Sequence, residues 1–333
     1  MPEIWLHAFA FPHRVAELAR QAEAWGFTGL LLADSQNLTA DIWVELALAA
    51  AATERLRLGP GVTNPLTRHP AVTAAAAATL QAESGGRAVL GLGRGDSALS
   101  AIGMRPLGAR AFETALEGMQ GFLAGEEVVL PDGTRSRIAW IAASGAAKVP
   151  VHVAATGPRV IAAAARHADA IDFTVGAEPQ RLEWAVTTAR AHSGSVSLGA
   201  FVNVAVDPDP AAARDLVRGS TSTLARFGAH GSPPDGLSPE TRAGIARLAA
   251  DYDAAHHGEA AGAAAQRMDD AFVDRFAVCG PADAVAERLA GLAALGLSRI
   301  VVVPCSLDTD PAAMQASNAR FAAEVLPELA AVG

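Results

Sequence analysis

Short apolar runs rich in leucine and β-branched residues alternate along this chain with longer, alanine-rich segments. In the first longer segment the apolar residues Val15, Leu18, Ala22 and Trp25 recur three or four positions apart, and Gly26 follows them. Such spacing predicts an amphipathic helix, and a glycine commonly ends one. The pattern as a whole predicts parallel strands joined by helical crossovers.

The predicted elements alternate from one end of the chain to the other. The apolar runs place strands at residues 4–8, 29–34, 56–62, 88–92, 149–154, 170–173, 197–206 and 299–303. The helical spacing places helices at residues 12–26, 41–53, 70–83, 107–123, 158–167, 179–192 and 281–295. These alternations, without a run of antiparallel strands, predict an α/β protein with a (β/α)8 TIM barrel. A doubly wound open sheet fits the even spacing less well.

We expect one domain over residues 1–333, interrupted by two excursions. Residues 126–140 contain a Pro-Asp-Gly turn signal between two short extended runs, which predicts a hairpin. Residues 227–267 lie between the seventh strand and the last barrel helix, and include a proline- and glycine-rich turn at 233–236. We expect this insertion at the carboxyl-terminal face of the barrel, where lids and substrate walls are built.

Composition narrows the class of protein. Of the 333 residues, 51% are hydrophobic and 18% are charged, which excludes a disordered chain. Acidic residues outnumber basic ones 35 to 26 and no basic run stands out, so we expect neither a nucleic-acid partner nor an anionic membrane surface. The chain has two cysteines, nine histidines in no ligand pattern, and no visible secretory or bilayer-spanning segment. We therefore expect a cytoplasmic protein without a metal site.

Polar and glycine residues gather in the loops that follow the predicted strands, where barrel enzymes build their active sites. These loop residues are His7, Phe9, Asp34, Ser35, Gln36, Thr63, Asn64, His69, Gly93, Arg94, Asp96, Thr156, Gly157, Arg159, Thr174, Val175 and Gly176. Asp34 is a candidate general acid or base, because an apolar strand delivers it to the barrel mouth. The same carboxylate would serve equally well to cap the loop that follows it.

Residues 155–159 are the most interpretable of these loops. The small residues Thr156 and Gly157 form an open turn before Pro158, which suits the first turn of a helix. A helix N-terminus exposes amide N–H groups, and with Arg159 as a counter-charge it predicts a phosphate site. A well-capped helix with a surface arginine explains the segment equally well.

Two glycine-rich loops carry further predictions. Gly91, Gly93 and Gly95 alternate with other residues and no helix follows directly, which makes a poor dinucleotide fingerprint. These glycines would let a planar ligand lie against the strand end, or would form a plain strand-to-helix loop. Residues 59–65 combine two glycines and two prolines at a strand end, which predicts unusual backbone geometry such as a bulge or a cis peptide.

Four stretches, in this order, carry a resemblance to one family: residues 59–70, 90–96, 155–159 with 168–170, and 276–281 with 295–304. Together they resemble the bacterial luciferase-like superfamily of flavin- or deazaflavin-dependent oxidoreductases. Within it the chain is most similar to methylenetetrahydromethanopterin reductases, which use coenzyme F420. The resemblance implies hydride transfer between F420 and a small organic substrate, by a chain that forms a homodimer. An FMN-dependent monooxygenase and a catalytically silent flavin-binding barrel are the alternatives.

The resemblance also implies roles for individual residues. A non-prolyl cis peptide is expected at Gly61–Val62, behind the cofactor ring, and Asp34 and Asp96 are the implied catalytic carboxylates. Arg94 stands where the family prefers an apolar residue or proline, so this cation is expected to bind an acidic substrate or the cofactor's tail. The implied cofactor-binding residues are Gly61, Val62, Thr63, Asn64, Gly93, Arg94, Thr156, Gly157, Pro158, Arg159, Thr174, Val175 and Gly176. The implied substrate-binding residues are His7, Phe9 and His69.

Overall fold

The computed structural model of the chain describes residues 2–228, 238–251, 253 and 256–331. Its strands are β1 (Glu3–Phe9), β2 (Gly29–Ala33), β3 (Arg57–Pro60), β4 (Leu90–Leu92), β5 (Val128–Val129), β6 (Arg135–Ser136), β7 (Val151–Ala155), β8 (Ala170–Phe173), β9 (Ser197–Val206), β10 (Val278–Gly280) and β11 (Arg299–Val303).

The helices follow the strands in alternation for most of the chain. They are α1 (Val15–Ala24), α2 (Ile42–Ala52), α3 (Pro70–Glu83), α4 (Ser97–Ser100), α5 (Ala109–Leu123), α6 (Ile141–Ser144), α7 (Pro158–His167), α8 (Pro179–Arg190), α9 (Pro210–Phe227), α10 (Pro239–Asp251), α11 (Ala263–Gln266), α12 (Asp270–Phe276), α13 (Ala282–Ala293), α14 (Pro311–Arg320) and α15 (Leu326–Ala331). A π-helical stretch, Phe321–Val325, joins the last two.

The main sheet has the strand order β3-β2-β1-β11-β9-β8-β7-β4, with β10 added beside β9. Pairing is parallel between β1 and β11, β9 and β11, β2 and β3, and β4 and β7. The strands at the two ends of this order, β3 and β4, are joined by parallel bridges between Leu58 and Ala88 and between Thr63 and Leu92. The order therefore returns on itself, and the predicted (β/α)8 barrel is confirmed.

Several elements begin and end where the sequence predicts, namely α3, α7, β8, β9 and β11. Proline explains two of these boundaries, because Pro70 and Pro158 open α3 and α7, where a backbone N–H would have no intrahelical acceptor. Asp41 precedes α2, and its side chain accepts hydrogen bonds from the N–H groups of Trp43 and Val44. Local capping chemistry thus sets these helix starts.

The sequence pattern does not predict α9, β10 or the helices after β11. Helix α9 buries a run of small and hydroxyl-bearing residues, Gly219 to Ser222, whose types favour turns and caps over helix interiors. Their polarity weakens the apolar contrast on which the prediction of a helix depends. Of the expected insertion, α10 and α11 belong to the described residues, whereas the turn at 233–236 lies outside them.

An antiparallel pair, β5 with β6, lies within residues 126–140. Val128 lies opposite Ser136, and Gly133 in the connecting turn has a φ of +86°. Glycine adopts this left-handed conformation without the steric penalty that a Cβ atom would bring. The turn chemistry of this segment therefore agrees with its backbone geometry.

The chain divides into two compact units, each assembled from separate stretches of sequence. The first unit comprises His7–Ala154 and Ala162–Ile171, and the second comprises Met1–Leu6, Ala155–Ile161 and Asp172–Gly333. The expectation of one domain stays a prediction. Within the described ranges, the helices are too short or too polar to cross a membrane. The same part of the chain contains no group of three or more histidine, cysteine or carboxylate side chains placed to hold a metal ion.

The interior of the second unit contains an ion pair. Arg299 donates hydrogen bonds of 2.9 and 2.7 Å to one oxygen of Asp172, and both side chains are buried. Gly199 leaves space for this pair, because a Cβ atom there would overlap the Asp172 carboxylate. A charge buried in this way needs a partner of opposite sign, which each residue supplies to the other.

Candidate active site

Asp34 lies directly after β2 in the first unit and is 5% exposed. Its Oδ2 atom accepts a hydrogen bond of 2.6 Å from the Thr63 hydroxyl, and Oδ1 accepts one of 2.7 Å from Nε2 of Gln36. Burial raises the pKa of Asp34, although these hydrogen bonds and the charge of Arg68 oppose the rise. The group therefore holds a proton more readily than an ordinary carboxyl group, which suits a general acid or base.

Thr63 connects this carboxyl group to the neighbouring strand. Its N–H donates to the carbonyl of Gly91 at 3.0 Å, and its carbonyl accepts from the N–H of Gly93 at 2.8 Å. The side chain is 1% exposed, so its hydroxyl is fixed toward Asp34 by the backbone on both sides. The structure thus brings together two predicted site residues, Thr63 and Asp34, in one hydrogen bond.

Asn64 organises the loop that follows. Its Oδ1 atom accepts hydrogen bonds of 3.0 Å from the N–H groups of Leu66 and Thr67, and the residue is 1% exposed. Its Nδ2 atom is buried and has no hydrogen-bond partner among the described residues. Because a buried amide donor without an acceptor is unfavourable, this atom is a candidate ligand contact.

His7 holds the peptide bond that precedes this loop. The Gly61–Val62 bond is cis, and the carbonyl of Gly61 lies 2.8 Å from Nε2 of His7. A carbonyl can only accept, so Nε2 carries the proton and donates it. Burial lowers the pKa of His7 to about 4 in spite of this hydrogen bond, so the ring is neutral at pH 7. The ring of Phe9 stands edge-on to it, with centroids 6.0 Å apart.

The glycines of β4 and its loop have a packing role. A Cβ atom on Gly91 would overlap the carbonyl oxygen of Pro60, and one on Gly93 would lie 2.8 Å from Cγ2 of Val62. Both positions therefore require the absence of a side chain so that β3 and its loop can approach. Close contacts with the Pro60 backbone and the Val62 side chain therefore explain these two glycines without a ligand.

Arg94 and Asp96 lie at the start of the loop after β4. Nε of Arg94 donates to the carbonyl of Leu107, and the Leu107 N–H donates to the carbonyl of Arg94 at 3.2 Å. These two hydrogen bonds join the ends of the segment 94–107, which contains α4. Asp96 is half-buried just before α4, and its carbonyl accepts from the N–H of Ser100. Arg94 thus has a loop-closing contact, and a catalytic role for Asp96 stays a prediction.

His69 is exposed and lies at the N-terminus of α3. Its Nδ1 atom accepts a hydrogen bond of 3.2 Å from the N–H of Ala71, which makes His69 the helix cap. The preceding residue, Arg68, forms an ion pair with Asp41. The structure gives His69 a capping contact, and its expected contact with substrate stays a prediction.

In the second unit, two predicted cofactor residues meet after β7 and β8. The hydroxyl groups of Thr156 and Thr174 are 2.6 Å apart, and the N–H of Thr174 donates to the carbonyl of Ala155 at 3.0 Å. Val175, which follows, is buried. The ends of these two strands therefore present a pair of hydrogen-bonded hydroxyl groups.

Gly176 continues this loop with a φ of +86°. A Cβ atom there would lie 2.7 Å from the ring of Phe276, and the N–H of Ala177 donates to the carbonyl of Phe276 at 2.8 Å. Phe276 itself stacks on Phe272, with ring centroids 5.7 Å apart. Glycine is required at 176 both for the backbone conformation and for this close contact.

The first turn of α7 is open to its surroundings. The carbonyl of Gly157 accepts from the N–H groups of Val160 and Ile161, at 3.1 and 3.0 Å. A Cβ atom on Gly157 would meet nothing within 4 Å, and both Pro158 and Arg159 are exposed. The first turn of a helix leaves N–H groups without intrahelical acceptors. This turn therefore has the donors, and the space, that a phosphate group needs.

Asn203 is a candidate site residue that the sequence analysis missed. It lies in β9, is 1% exposed, and neither its Oδ1 nor its Nδ2 atom has a hydrogen-bond partner among the described residues. A signal was present in the sequence, because a carboxamide interrupts the otherwise apolar run from Phe201 to Val206. A buried polar group without partners in a strand points to a ligand or to ordered water.

Comparison with known proteins relates this geometry to a family. Residues 4–299 match the profile of the luciferase-like monooxygenase family. The chain is 30% identical over 307 residues to the 5,10-methylenetetrahydromethanopterin reductase of Methanolobus tindarius, a match that covers 86% of this chain and 89% of that protein. It is 35% identical over 193 residues to the F420-dependent glucose-6-phosphate dehydrogenase of Beutenbergia cavernae, covering 52% and 56% of the two chains.

A solved structure supports the same fold. The coenzyme F420 dependent tetrahydromethanopterin reductase of Methanopyrus kandleri superposes with a TM-score of 0.74 at 23% identity, covering 98% of this chain and 99% of that one. At this identity the likeness is evidence for the barrel fold alone.

Proposed function

The chain belongs to the luciferase-like monooxygenase family, and we propose that it is an oxidoreductase that transfers a hydride between coenzyme F420 and a small organic substrate. The observation that carries this proposal is the buried, hydrogen-bonded Asp34, a proton-holding group at a strand end. Support comes from the curated relatives, which are a reductase along nearly the whole chain and an F420-dependent dehydrogenase along half of it.

A deazaflavin or flavin cofactor fits the residues present. In the first unit, Nδ2 of Asn64 is a buried donor without a partner, suited to a carbonyl oxygen of such a ring. The second unit has a feature suited to a phosphate group, the open first turn of α7 at Gly157 and Arg159. When bound, the cofactor would supply the redox chemistry, since its ring accepts or donates the hydride.

The protein's own residues would handle the proton and the orientation of the reactants. Asp34 would accept or deliver a proton at the substrate, because burial makes protonation of this carboxyl group accessible. The Thr63 hydroxyl and the Gln36 amide would hold it in one rotamer. His7, neutral and bonded to the Gly61 carbonyl, would keep the cis peptide in place. Asp96 is the second proposed carboxylate.

Cofactor binding is the direct test. The purified chain is titrated with F420 and with FMN, and quenching of cofactor fluorescence gives each Kd. We expect F420 to bind at least about tenfold more tightly than FMN, a difference of about 1.4 kcal/mol. Arg159→Gln should weaken F420 binding, whereas Arg137→Gln, which removes an exposed arginine elsewhere, should leave the Kd unchanged.

The family profile, described as a luciferase-like monooxygenase, favours one alternative: an FMN enzyme that consumes oxygen. Tighter binding of FMN, with oxygen uptake by the reduced complex, would establish it in place of the F420 proposal. A catalytically silent barrel would bind a cofactor but would not reoxidise its reduced form with any acceptor in a panel of ketones, enones and imines.

We also propose that the chain forms a homodimer through α2 and α3. These helices of the first unit expose Val44, Leu48 and Val72 at 60%, 49% and 55%. Glu45, the charged residue of α2, is buried, and α3 carries no charged residue before Glu83. An exposed apolar face without charge is matched by a second copy of itself, and twofold pairing is the commonest arrangement of identical chains.

A further inference from the structure

Arg181 is a buried cation that donates no hydrogen bond to an anion among the described residues. It lies in the first turn of α8 in the second unit, five positions after Gly176, and is 1% exposed. Its Nε and Nη1 atoms have no hydrogen-bond partner among the described residues. A guanidinium group binds a carboxylate or phosphate through two parallel N–H···O hydrogen bonds. The Nε and Nη1 donors of Arg181 are therefore suited to such an anion.

Two charges of opposite sign, Glu178 and Arg242, act on Arg181. Burial lowers the pKa of Arg181 to about 10; the charge of Glu178 opposes this effect and that of Arg242 adds to it. The attraction to Glu178 is therefore offset in part by repulsion from a second cation. The Trp184 ring, 4.6 Å from the guanidinium carbon, covers one face of Arg181 but supplies no acceptor for its N–H groups in the ring plane.

Arg242 comes from the start of another helix of the same unit. It is exposed in the first turn of α10, where Ser238 caps the helix by accepting a hydrogen bond of 3.1 Å from the N–H of Thr241. The positive charge of Arg242 acts on Arg181 and would favour an anion bound there.

We propose that Arg181 and Arg242 form a binding subsite for a carboxylate or phosphate group of a reactant. Arg94, the cation that the sequence predicts to bind an acidic substrate or the cofactor's tail, donates through Nε to the Leu107 carbonyl, and its binding role stays a prediction. Assignment of the anion to a reactant rests on the proposed oxidoreductase function, whereas binding of the anion itself does not.

Inorganic phosphate is the probe for the subsite. Isothermal titration of the full chain at low ionic strength should give saturable binding that Arg181→Gln weakens at least about tenfold, because a charge-assisted pair is lost. Arg242→Gln should weaken binding by a smaller factor. Arg247→Gln, which removes an exposed charge from the same helix, should leave the Kd unchanged. Equal phosphate affinity in wild type and Arg181→Gln, or no saturable binding in wild type, would overturn the proposal.

Thermal unfolding separates this role from a structural one. Arg181→Met removes an unpaired buried cation, so its Tm in anion-free buffer should equal or exceed that of the wild type. Added phosphate should raise the Tm of the wild type and leave that of Arg181→Met unchanged. A large fall in Tm for both Arg181→Met and Arg181→Gln, with or without phosphate, would show a structural cation and contradict the proposal.

Two ligands, F420 and a deazaflavin fragment that lacks its acidic tail, show whether the anion belongs to the cofactor or to the substrate. If it belongs to the acidic tail of F420, Arg181→Gln should weaken F420 binding but leave binding of the tail-less deazaflavin fragment unchanged. If it belongs to the substrate, Arg181→Gln should leave both Kd values unchanged while phosphate binding is lost. Failure of every protein variant, wild type included, to bind F420 would contradict the proposed function and leave the phosphate result standing.

Discussion

Asp34 is a buried carboxyl group, and burial favours its protonated form more than water does. Since folding raises its pKa, the folded protein binds this proton more tightly than the unfolded chain does. The stability contributed by the protonated group is therefore present at low pH and is lost as the pH rises through the raised pKa. At neutral pH the residue works against stability, which is the pattern expected of a group retained for chemistry.

Asp34→Asn should separate function from stability. An amide cannot exchange the proton, so we expect turnover to fall at least about a hundredfold, the contribution typical of general acid–base catalysis. The Tm at pH 7 should equal or exceed that of the wild type, because an uncharged amide avoids the desolvation of a carboxylate. The rate at which the reduced cofactor is reoxidised by an acceptor of the wild type measures turnover. Calorimetry measures the Tm.

The same substitution at the second proposed carboxylate, Asp96, shows which of the two groups handles the proton. Asp96 is half-buried just before α4, and the hydrogen bonds to the Asp34 carboxyl group come from Thr63 and Gln36. If Asp96→Asn abolishes turnover while Asp34→Asn retains the wild-type rate, the proton-handling role belongs to Asp96.

At the scale of elements, the close approach of β3 and β4 positions the candidate site. Gly91 accepts the hydrogen bond from Thr63, the residue that holds Asp34, and lies against the Pro60 carbonyl. Any side chain at 91 must push the two strands apart. The glycine therefore acts through the strand pair, by keeping the Thr63 hydroxyl within reach of Asp34.

Gly91→Ala should destabilise the fold by about 3 kcal/mol or more, since its Cβ meets backbone that cannot move away easily. Gly291→Ala is the matched control: this glycine is exposed inside α13 and has open space around it. Alanine there should stabilise the protein by about 0.5–1 kcal/mol, because glycine is a poor helix former. Urea denaturation of both variants measures the difference, and equal effects would contradict the strand-contact argument.

At the scale of the whole molecule, the uncharged faces of α2 and α3 bear on assembly. Leu48→Asp places a charge in the proposed dimer face, so the dimer Kd should rise at least about tenfold. Val129→Asp, at an exposed valine in β5, should leave association unchanged. Analytical ultracentrifugation over a concentration series measures both. A monomeric wild type, or a Leu48→Asp variant that associates normally, would rule out this face.

Local chemistry made much of the fold predictable. Pro70 and Pro158 mark helix starts and Asp41 supplies a cap, so α3, α7 and α2 begin close to where the sequence predicts. Helix α9 was not predicted because four of its eight buried residues, Gly219 to Ser222, are glycine, serine or threonine. Whether such a face is buried depends on what packs against it, and the pattern along one segment does not contain that information.

The residues of the candidate site were likewise predictable from the sequence only in part. Asp34, Thr63 and Asn64 were predictable as strand-end polar residues, whereas their hydrogen bonds were not. For His69 the structure adds a contact that the sequence does not show, because its Nδ1 atom caps α3; the expected contact with substrate stays a prediction. Arg181 in a helix pattern looks like a surface residue, and the structure buries it.

The sequence by itself determined the alternation of strands and helices, and with it the barrel, because hydrophobic period and capping act over a few residues. Only the tertiary structure decided which polar groups lose water and which find partners. Burial and partnership depend on residues distant in sequence, as with His7 and Gly61 or Asp34 and Thr63. The pKa of Asp34, the neutral state of His7 and the burial of Arg181 follow from that three-dimensional environment.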